Sequence, residues 1–348
     1  MEEAPVLFSR SPGREGDLAL LTLNRPRVLN ALNDEMISLL QQHLQTCALD
    51  ADIKAVLIRA AEGPAFCAGG DLRSVYDLHL RSKPLPTTFF DQEYALNHYI
   101  YHYPKPYLAL MDGITMGGGA GLSIHGGHRI GTERLLFAMP ETGIGFFPDI
   151  GAGHFLSRLR GKMGIYLGLT GQHLSLDDCY ALGLIDYGIA QKSIPQLLAA
   201  LAEQPFGSQP KQKINQILAA FHQDPSQSGL LLRQKQIDFH FSQTSMEEIM
   251  ASLEKAKEAW CQELALVLQK KSPTSLKVSL RQLNLCAGQH FDYCIRLDQR
   301  LARGFLLGHD FYEGIRALII DKDKRPHWQP ALLKAVDEAT IESYFRVA

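Results

Sequence analysis

The chain has 348 residues, 46% apolar and 21% charged, with a formal net charge of −2. This composition suits a globular protein with a sizeable core. No block of basic residues favours nucleic acid, and no apolar run approaches the ~20 residues of a membrane-spanning helix; neither nucleic acid nor membrane is an expected partner.

The N-terminal "MEEAPVLFSRSPGREGD" has the character of neither a signal peptide nor a transit peptide. The expected compartment is cytoplasmic, or the mitochondrial matrix for a mature chain. "DLALLTLN" (17–24) reads as a strand, and "NDEMISLLQQHLQTCAL" (33–49) as an amphipathic helix capped by Asn33 or Asp34. "IKAVLIRA" (53–60) is a second strand, followed by the loop "AEGPAFCAGGDL". A helix is predicted over 87–103, a third strand over 105–113, two short strands within 128–141, and helices near 151–160, 162–169 and 175–182. The units "KAVLIRAAEGPAFCAGGDL" and "KPYLALMDGITMGGGAGL" look alike, each an apolar strand, a turn and small residues opening a helix. Beyond Gly183 the pattern turns helical. The expected organisation is α/β, with residues 1–195 as a core that carries the active site and 196–348 as a mostly helical C-terminal region.

Several chemistries lack their patterns. There is no G-x-x-x-x-G-K-[ST], no G-x-G-x-x-G, no G-x-S-x-G and no H-E-x-x-H. The six cysteines, at 47, 67, 179, 261, 286 and 294, form no C-x-x-C pair and no zinc spacing, so reduced thiols are expected. His125 and His128 lie three apart and read as loop histidines without a third ligand. No metal is expected. What stands out is a pair of glycine loops, "FCAGGDL" (66–72) and "TMGGGAGL" (115–122). Glycine loops that open helices expose backbone N–H groups, and two facing loops make an oxyanion hole. Tight strand–helix packing would use the same glycines. Next, "AMPETGIGFFPDIGAG" (138–153) sets Glu141 and Asp149 among apolar and glycine residues, each directly after a proline. Two desolvated carboxylates push their pKa values apart, which suits one acid–base group and one orienting group.

Taken together, "NRPRVLNAL", "AFCAGGDL", "KPYLALMDGITMGGGAGLSIHG" and "FAMPETGIGFFPDIGAG" resemble the enoyl-CoA hydratase/isomerase (crotonase) superfamily, and within it a hydrolase branch. "SPTSLKVSLRQL" (272–283) and "GHDFYEGIRALIIDKDKRPHWQP" (308–330) extend the resemblance toward the C-terminus. It implies a crotonase-like spiral of repeated ββα units followed by helices. It implies an oxyanion hole from the N–H groups of Gly70 and Gly118, and CoA contacts at Ala68, Gly70 and Leu72. Hydratases of the family carry a catalytic glutamate where this chain has Gly121. Their second glutamate matches Glu141, and eight residues later their glycine is replaced by Asp149. That pattern implies hydrolysis of a short β-hydroxyacyl-CoA thioester of the kind met in valine breakdown. The acyl chain would be 3-hydroxyisobutyryl or 3-hydroxypropionyl, which differ by one methyl group.

Glu141 would attack the carbonyl or activate water, and Asp149 would orient the substrate hydroxyl or the water. Glu93 matches a substrate-contacting glutamate. Arg25, Arg27, Lys277 and Arg281 are candidate phosphate partners, and Cys67 reads as a packing residue. The expected ligand is an acyl-CoA substrate with no separate cofactor. A hydratase or isomerase, or a non-enzymatic structural relative, would be the alternative. The C-terminal helices would either build a homo-oligomer or fold back on the chain's own core.

Overall fold

The computed structural model describes residues 4–81 and 87–347. Among the described residues there are nine strands, interspersed with helices: β1 (Val6–Ser11), β2 (Asp17–Leu23), β3 (Ile53–Ala60), β4 (Ala65–Cys67), β5 (Tyr107–Met111), β6 (Ile114–Met116), β7 (His128–Thr132), β8 (Leu136–Ala138) and β9 (Tyr187–Ile189). They form a six-stranded sheet in the order β1-β2-β3-β5-β7-β9 and a three-stranded sheet in the order β4-β6-β8. Only β1 runs antiparallel in the larger sheet. The expected ββα repeat is visible here. The first strand of each repeat (β3, β5, β7) enters the large sheet, and the second (β4, β6, β8) enters the small one.

The chain divides into two compact units. The first comprises residues 1–70, 95–137 and 173–229. Strands β2 and β5 are buried over their whole length, as parallel strands covered on both faces must be. Leu18, Leu20, Leu57, Leu108, Leu110 and Ile130 point to one face. There they pack with Leu197, Leu201, Ile214 and Leu218, from the helices Ile194–Glu203 and Pro210–Phe221. The helix Asp34–Leu49 contributes buried Met36, Ile37, Leu40 and Leu44 and touches β1, β2 and β3. Asn33 is its cap, accepting Met36 N–H at 2.9 Å.

The second unit comprises residues 71–94, 138–172 and 230–348. At its centre the helix Met163–Thr170 is buried on nearly every side, packed against Gln234–Phe241, Ala259–Gln269 and Pro273–Cys286. The tail does fold onto this unit: Phe291–Leu307 packs on Glu338–Arg346 and Pro273–Cys286.

Composition places a boundary near residue 195, where strand-rich sequence gives way to helical sequence. The packing divides differently. The two helices that follow residue 195 belong to the sheet's core, because their apolar stripes cover its face; both units are assembled from three separate stretches of chain. Leu218→Ala should therefore destabilise the sheet-bearing unit by about 2–5 kcal/mol, the cost of a buried leucine truncation, measurable by urea unfolding followed through far-UV circular dichroism.

Candidate active site

The two glycine loops lie in the first unit. Asn30 is fully buried; its side-chain amide donates to Ala65 O at 3.0 Å and its carbonyl accepts Arg25 N–H at 2.8 Å. Leu29 and Asn30 both have left-handed backbone, φ 56° and 54°. Asparagine tolerates that region, whereas leucine enters it only when its surroundings impose it. The turn so formed presents Leu29 C=O to Ala68 N–H (3.0 Å) and Leu32 N–H to Gly69 C=O (2.8 Å). The loop after β4 is thus pinned at the two residues that precede Gly70. Among the described residues, Gly70 N–H donates to no other group.

The second loop approaches the first closely. Gly117 caps the helix Gly118–Ser123 with φ 48°, and Gly118 N–H, at the helix start, has no acceptor among the described residues. A Cβ on Gly69 would lie 3.7 Å from Gly118 N, and one on Gly119 only 2.2 Å from Cys67 O. Two unspent donors therefore sit on adjoining loops. A Cβ on Gly121 would lie 2.6 Å from the amide nitrogen of buried Asn97, so Asn97 takes the space a side chain at 121 would need.

The acids lie in the second unit. Glu141 opens a 3-10 turn, Glu141–Ile144, that is tied down by Thr142 Oγ1 donating to Leu169 O (2.9 Å) and Phe146 N–H donating to Glu141 O (3.0 Å). Phe146 and Phe147, between the two acids in sequence, join Phe90, Phe305 and Phe311 in an aromatic cluster with centroids 4.6–5.4 Å apart along the chain of contacts. Asp149 follows Pro148, and its Oδ2 accepts the Tyr94 hydroxyl at 2.7 Å. Glu93, Glu141 and Asp149 are only 3%, 5% and 5% exposed. Glu93 Oε1 and Glu141 Oε2 have no partner among the described residues. Buried polar atoms without partners are what a bound ligand or water satisfies.

Burial dominates the electrostatics. It raises Glu93 and Glu141 well above the ordinary carboxylate range, and the charge of Asp149 adds to both. Asp149 is pushed up to about 7 by burial, against the opposing Tyr94 hydrogen bond. Lys271, half-buried, is pulled down to about 8 by desolvation, with Glu141 acting the other way. One proton donor and one ionised carboxylate can thus coexist near neutral pH.

The remaining sequence candidates fare differently. Ala68 spends its N–H on Leu29, and Leu72 begins the helix Leu72–Arg81 of the second unit. Cys67 is buried, its thiol turned to Gly69 O at 3.7 Å. His128 is not a loop residue: it lies in β7, with Nε2 2.9 Å from Asn215 Oδ1. Among the four cations, Lys277 binds Glu247 (2.6 Å) and Val336 O (2.7 Å), Arg281 binds Glu338 and Glu342, and Arg25 donates to Ala31 O at 2.6 Å. These three have partners within the chain, whereas Arg27 is exposed. Sequence reasoning passed over Tyr94, Gln282 and Asp298. The last two were detectable as polar residues on otherwise buried helix stripes, Asp298 in line with Cys294, Leu301 and Phe305.

The model of the enoyl-CoA hydratase/isomerase family matches residues 18–345. The chain belongs to that family. It is 41% identical over 343 residues to the mitochondrial 3-hydroxyisobutyryl-CoA hydrolase of Danio rerio, covering 98% of this chain and 89% of that one. It is 39% identical over 338 residues to the protein of that name from Homo sapiens, covering 96% and 87%. Solved structures similar to it include a carnitinyl-CoA dehydratase from Mycobacterium thermoresistibile (TM-score 0.91, 33% identity, 99% of this chain and 97% of that chain). Another is an enoyl-CoA hydratase from Rhodobacter sphaeroides (TM-score 0.89, 33% identity, 98% and 97%).

Asp149 holds its proton more tightly in the folded protein than in the unfolded chain, so its ionisation opposes folding as pH climbs from about 4 toward 7. Asp149→Asn keeps an acceptor for Tyr94 and removes that cost. The variant should be more stable than the parent by about 1–3 kcal/mol at pH 8, with the gain vanishing at pH 4, as read from urea denaturation at the two pH values.

Proposed function

We propose that the chain hydrolyses a short β-hydroxyacyl-CoA thioester, with 3-hydroxyisobutyryl-CoA as the leading substrate. The observation that carries this reading is the exchange of carboxylates. The position of one hydratase glutamate is Gly121, backed by Asn97, while Asp149 joins Glu141 as a second buried acid. The names of the curated relatives support the same chemistry.

In this scheme the thioester oxygen accepts the N–H groups of Gly70 and Gly118, and Ala68 and Leu72 contact the CoA through their backbones. The oxyanion that forms there is stabilised by donors that need not reorganise, each worth about 3–4 kcal/mol of barrier. Glu141, as carboxylate, either adds to the carbonyl carbon or takes a proton from water that does so. In the first route the C–S bond breaks with its electron pair on sulfur, CoA leaves as the thiol after gaining a proton, and water cleaves the mixed anhydride. In the second, water delivers the hydroxyl directly. Asp149 and Glu93 orient the β-hydroxyl or the water. The scheme uses no cofactor beyond the CoA carried by the substrate. The compartment follows the mitochondrial relatives or is cytoplasmic.

The similar solved structures, a carnitinyl-CoA dehydratase and an enoyl-CoA hydratase, favour a second reading, hydration of an enoyl-CoA. One assay separates the two: free-thiol release from (S)-3-hydroxyisobutyryl-CoA, with crotonyl-CoA absorbance as control. Thiol release by the wild type should fall about 10³-fold or more in Glu141→Gln and about 10²-fold in Asp149→Asn, and should rise with increasing pH as the raised carboxyls of Glu141 and Asp149 ionise. Consumption of crotonyl-CoA without thiol release would instead establish the hydratase.

A further inference from the structure

Asp149 stands on backbone that does not hold itself. The next residue, Ile150, has φ 54°, and Gly151 has φ 79°. A β-branched residue in the left-handed region is a true outlier, kept only where the surroundings over-determine it. Two polar side chains of the same unit do this. Asp298 Oδ2 accepts Gly151 N–H at 2.7 Å, Gln282 Nε2 donates to Pro148 O at 2.8 Å, and the same nitrogen donates to Asp298 Oδ1 at 2.8 Å. All of these groups are buried, and both Asp298 and Gln282 are 0% exposed. The loop 148–151 is therefore gripped directly before Asp149, at Pro148, and two residues after it, at Gly151, by residues on two helices, Pro273–Cys286 and Phe291–Leu307.

We propose that the Gln282–Asp298 pair is a positioning clamp, setting the place of the Asp149 carboxyl against Tyr94 during the hydrolysis. A buried carboxylate is an expensive way to hold a loop, since an apolar pair of equal volume would pack without desolvation cost. The backbone N–H of Gly151, in its left-handed conformation, calls for an acceptor at that point, and Asp298 supplies it. The Asp149 side chain meets Tyr94 on the helix Thr87–Tyr101, so the clamp and Tyr94 fix it from opposite ends: backbone and carboxyl. The clamp touches no substrate in this scheme and acts through Asp149 alone.

This inference rests on the proposed hydrolase reading, and the test separates the two. Wild type, Asp298→Asn and Gln282→Met are compared for thiol release from 3-hydroxyisobutyryl-CoA and for binding of its non-hydrolysable thioether analogue. The expected result is a 10–100-fold fall in kcat for both variants, as a displaced positioning group gives, with KM and analogue affinity within threefold of wild type. Asp298→Asn keeps shape but turns one acceptor into a donor; if it fails to fold, Gln282→Met, which preserves volume while deleting both donated bonds, decides the matter. An unchanged kcat, or a loss of kcat and analogue binding in parallel, overturns the clamp. Wild type that releases no thiol overturns the hydrolase reading itself.

Discussion

The costliest feature of this protein is the gathering of acids in the dry interior of one unit. Glu93, Glu141, Asp149 and Asp298 are each at most 5% exposed, and burial shifts all four upward. Each would be more stable in water. The fold tolerates them because a few groups compensate locally: the Tyr94 hydroxyl on Asp149, the Gly151 amide and Gln282 on Asp298, and Lys271 near Glu141. The compensation is incomplete, and the incompleteness is informative. Asp298 has hydrogen bonds at both oxygens, while Glu93 and Glu141 each retain an oxygen without a partner among the described residues. Buried polar atoms left without a protein partner are where a ligand or water is accommodated, and in the proposed scheme those atoms belong to Glu93 and Glu141.

The first unit solves a different problem with backbone alone. In the proposed scheme, a peptide N–H that receives an oxyanion must be unspent, yet the loop bearing it must be rigid. The turn at Leu29 and Asn30 meets both demands. It takes the hydrogen bonds of Ala68 and Gly69, the two residues before Gly70, and leaves Gly70 N–H itself uncommitted among the described residues. Glycine at 119 then allows the second loop to pack directly on the Cys67 carbonyl. The strain of two consecutive left-handed residues is of order 1–3 kcal/mol each; Asn30 offsets it through its two side-chain hydrogen bonds.

Much of this was legible in the chain. Apolar strands followed by glycine loops announce the repeat, because period and glycine placement are local signals. The carboxylates at 141 and 149 were visible because charge amid apolar residues is rare. The short strands β4, β6 and β9, three residues each, carry too little pattern to be read. The helices at 194–221 looked like the start of a new region because their stripe does not say which surface it will cover. The four candidate phosphate cations illustrate a further limit: a sequence shows a charge but not its partner, and Lys277, Arg25 and Arg281 each found one within the protein.

In the proposed scheme the oxyanion donors, Gly70 and Gly118, are main-chain groups, indifferent to side-chain exchange. In that scheme the reaction is set by which carboxylates the chain carries: Glu141 and Asp149, with none at position 121. At position 121 the change is not a simple deletion. Asn97 occupies the space beside Gly121, so restoring a glutamate there would require moving a buried amide as well. At position 149 the addition likewise required more than one residue, since the acid stands on a strained turn tied to Gln282 and Asp298. The chemical difference is thus distributed over pairs of residues remote in sequence. A glycine and an aspartate mark it in the chain, but Asn97 and the Gln282–Asp298 pair are what make each of them structurally tenable.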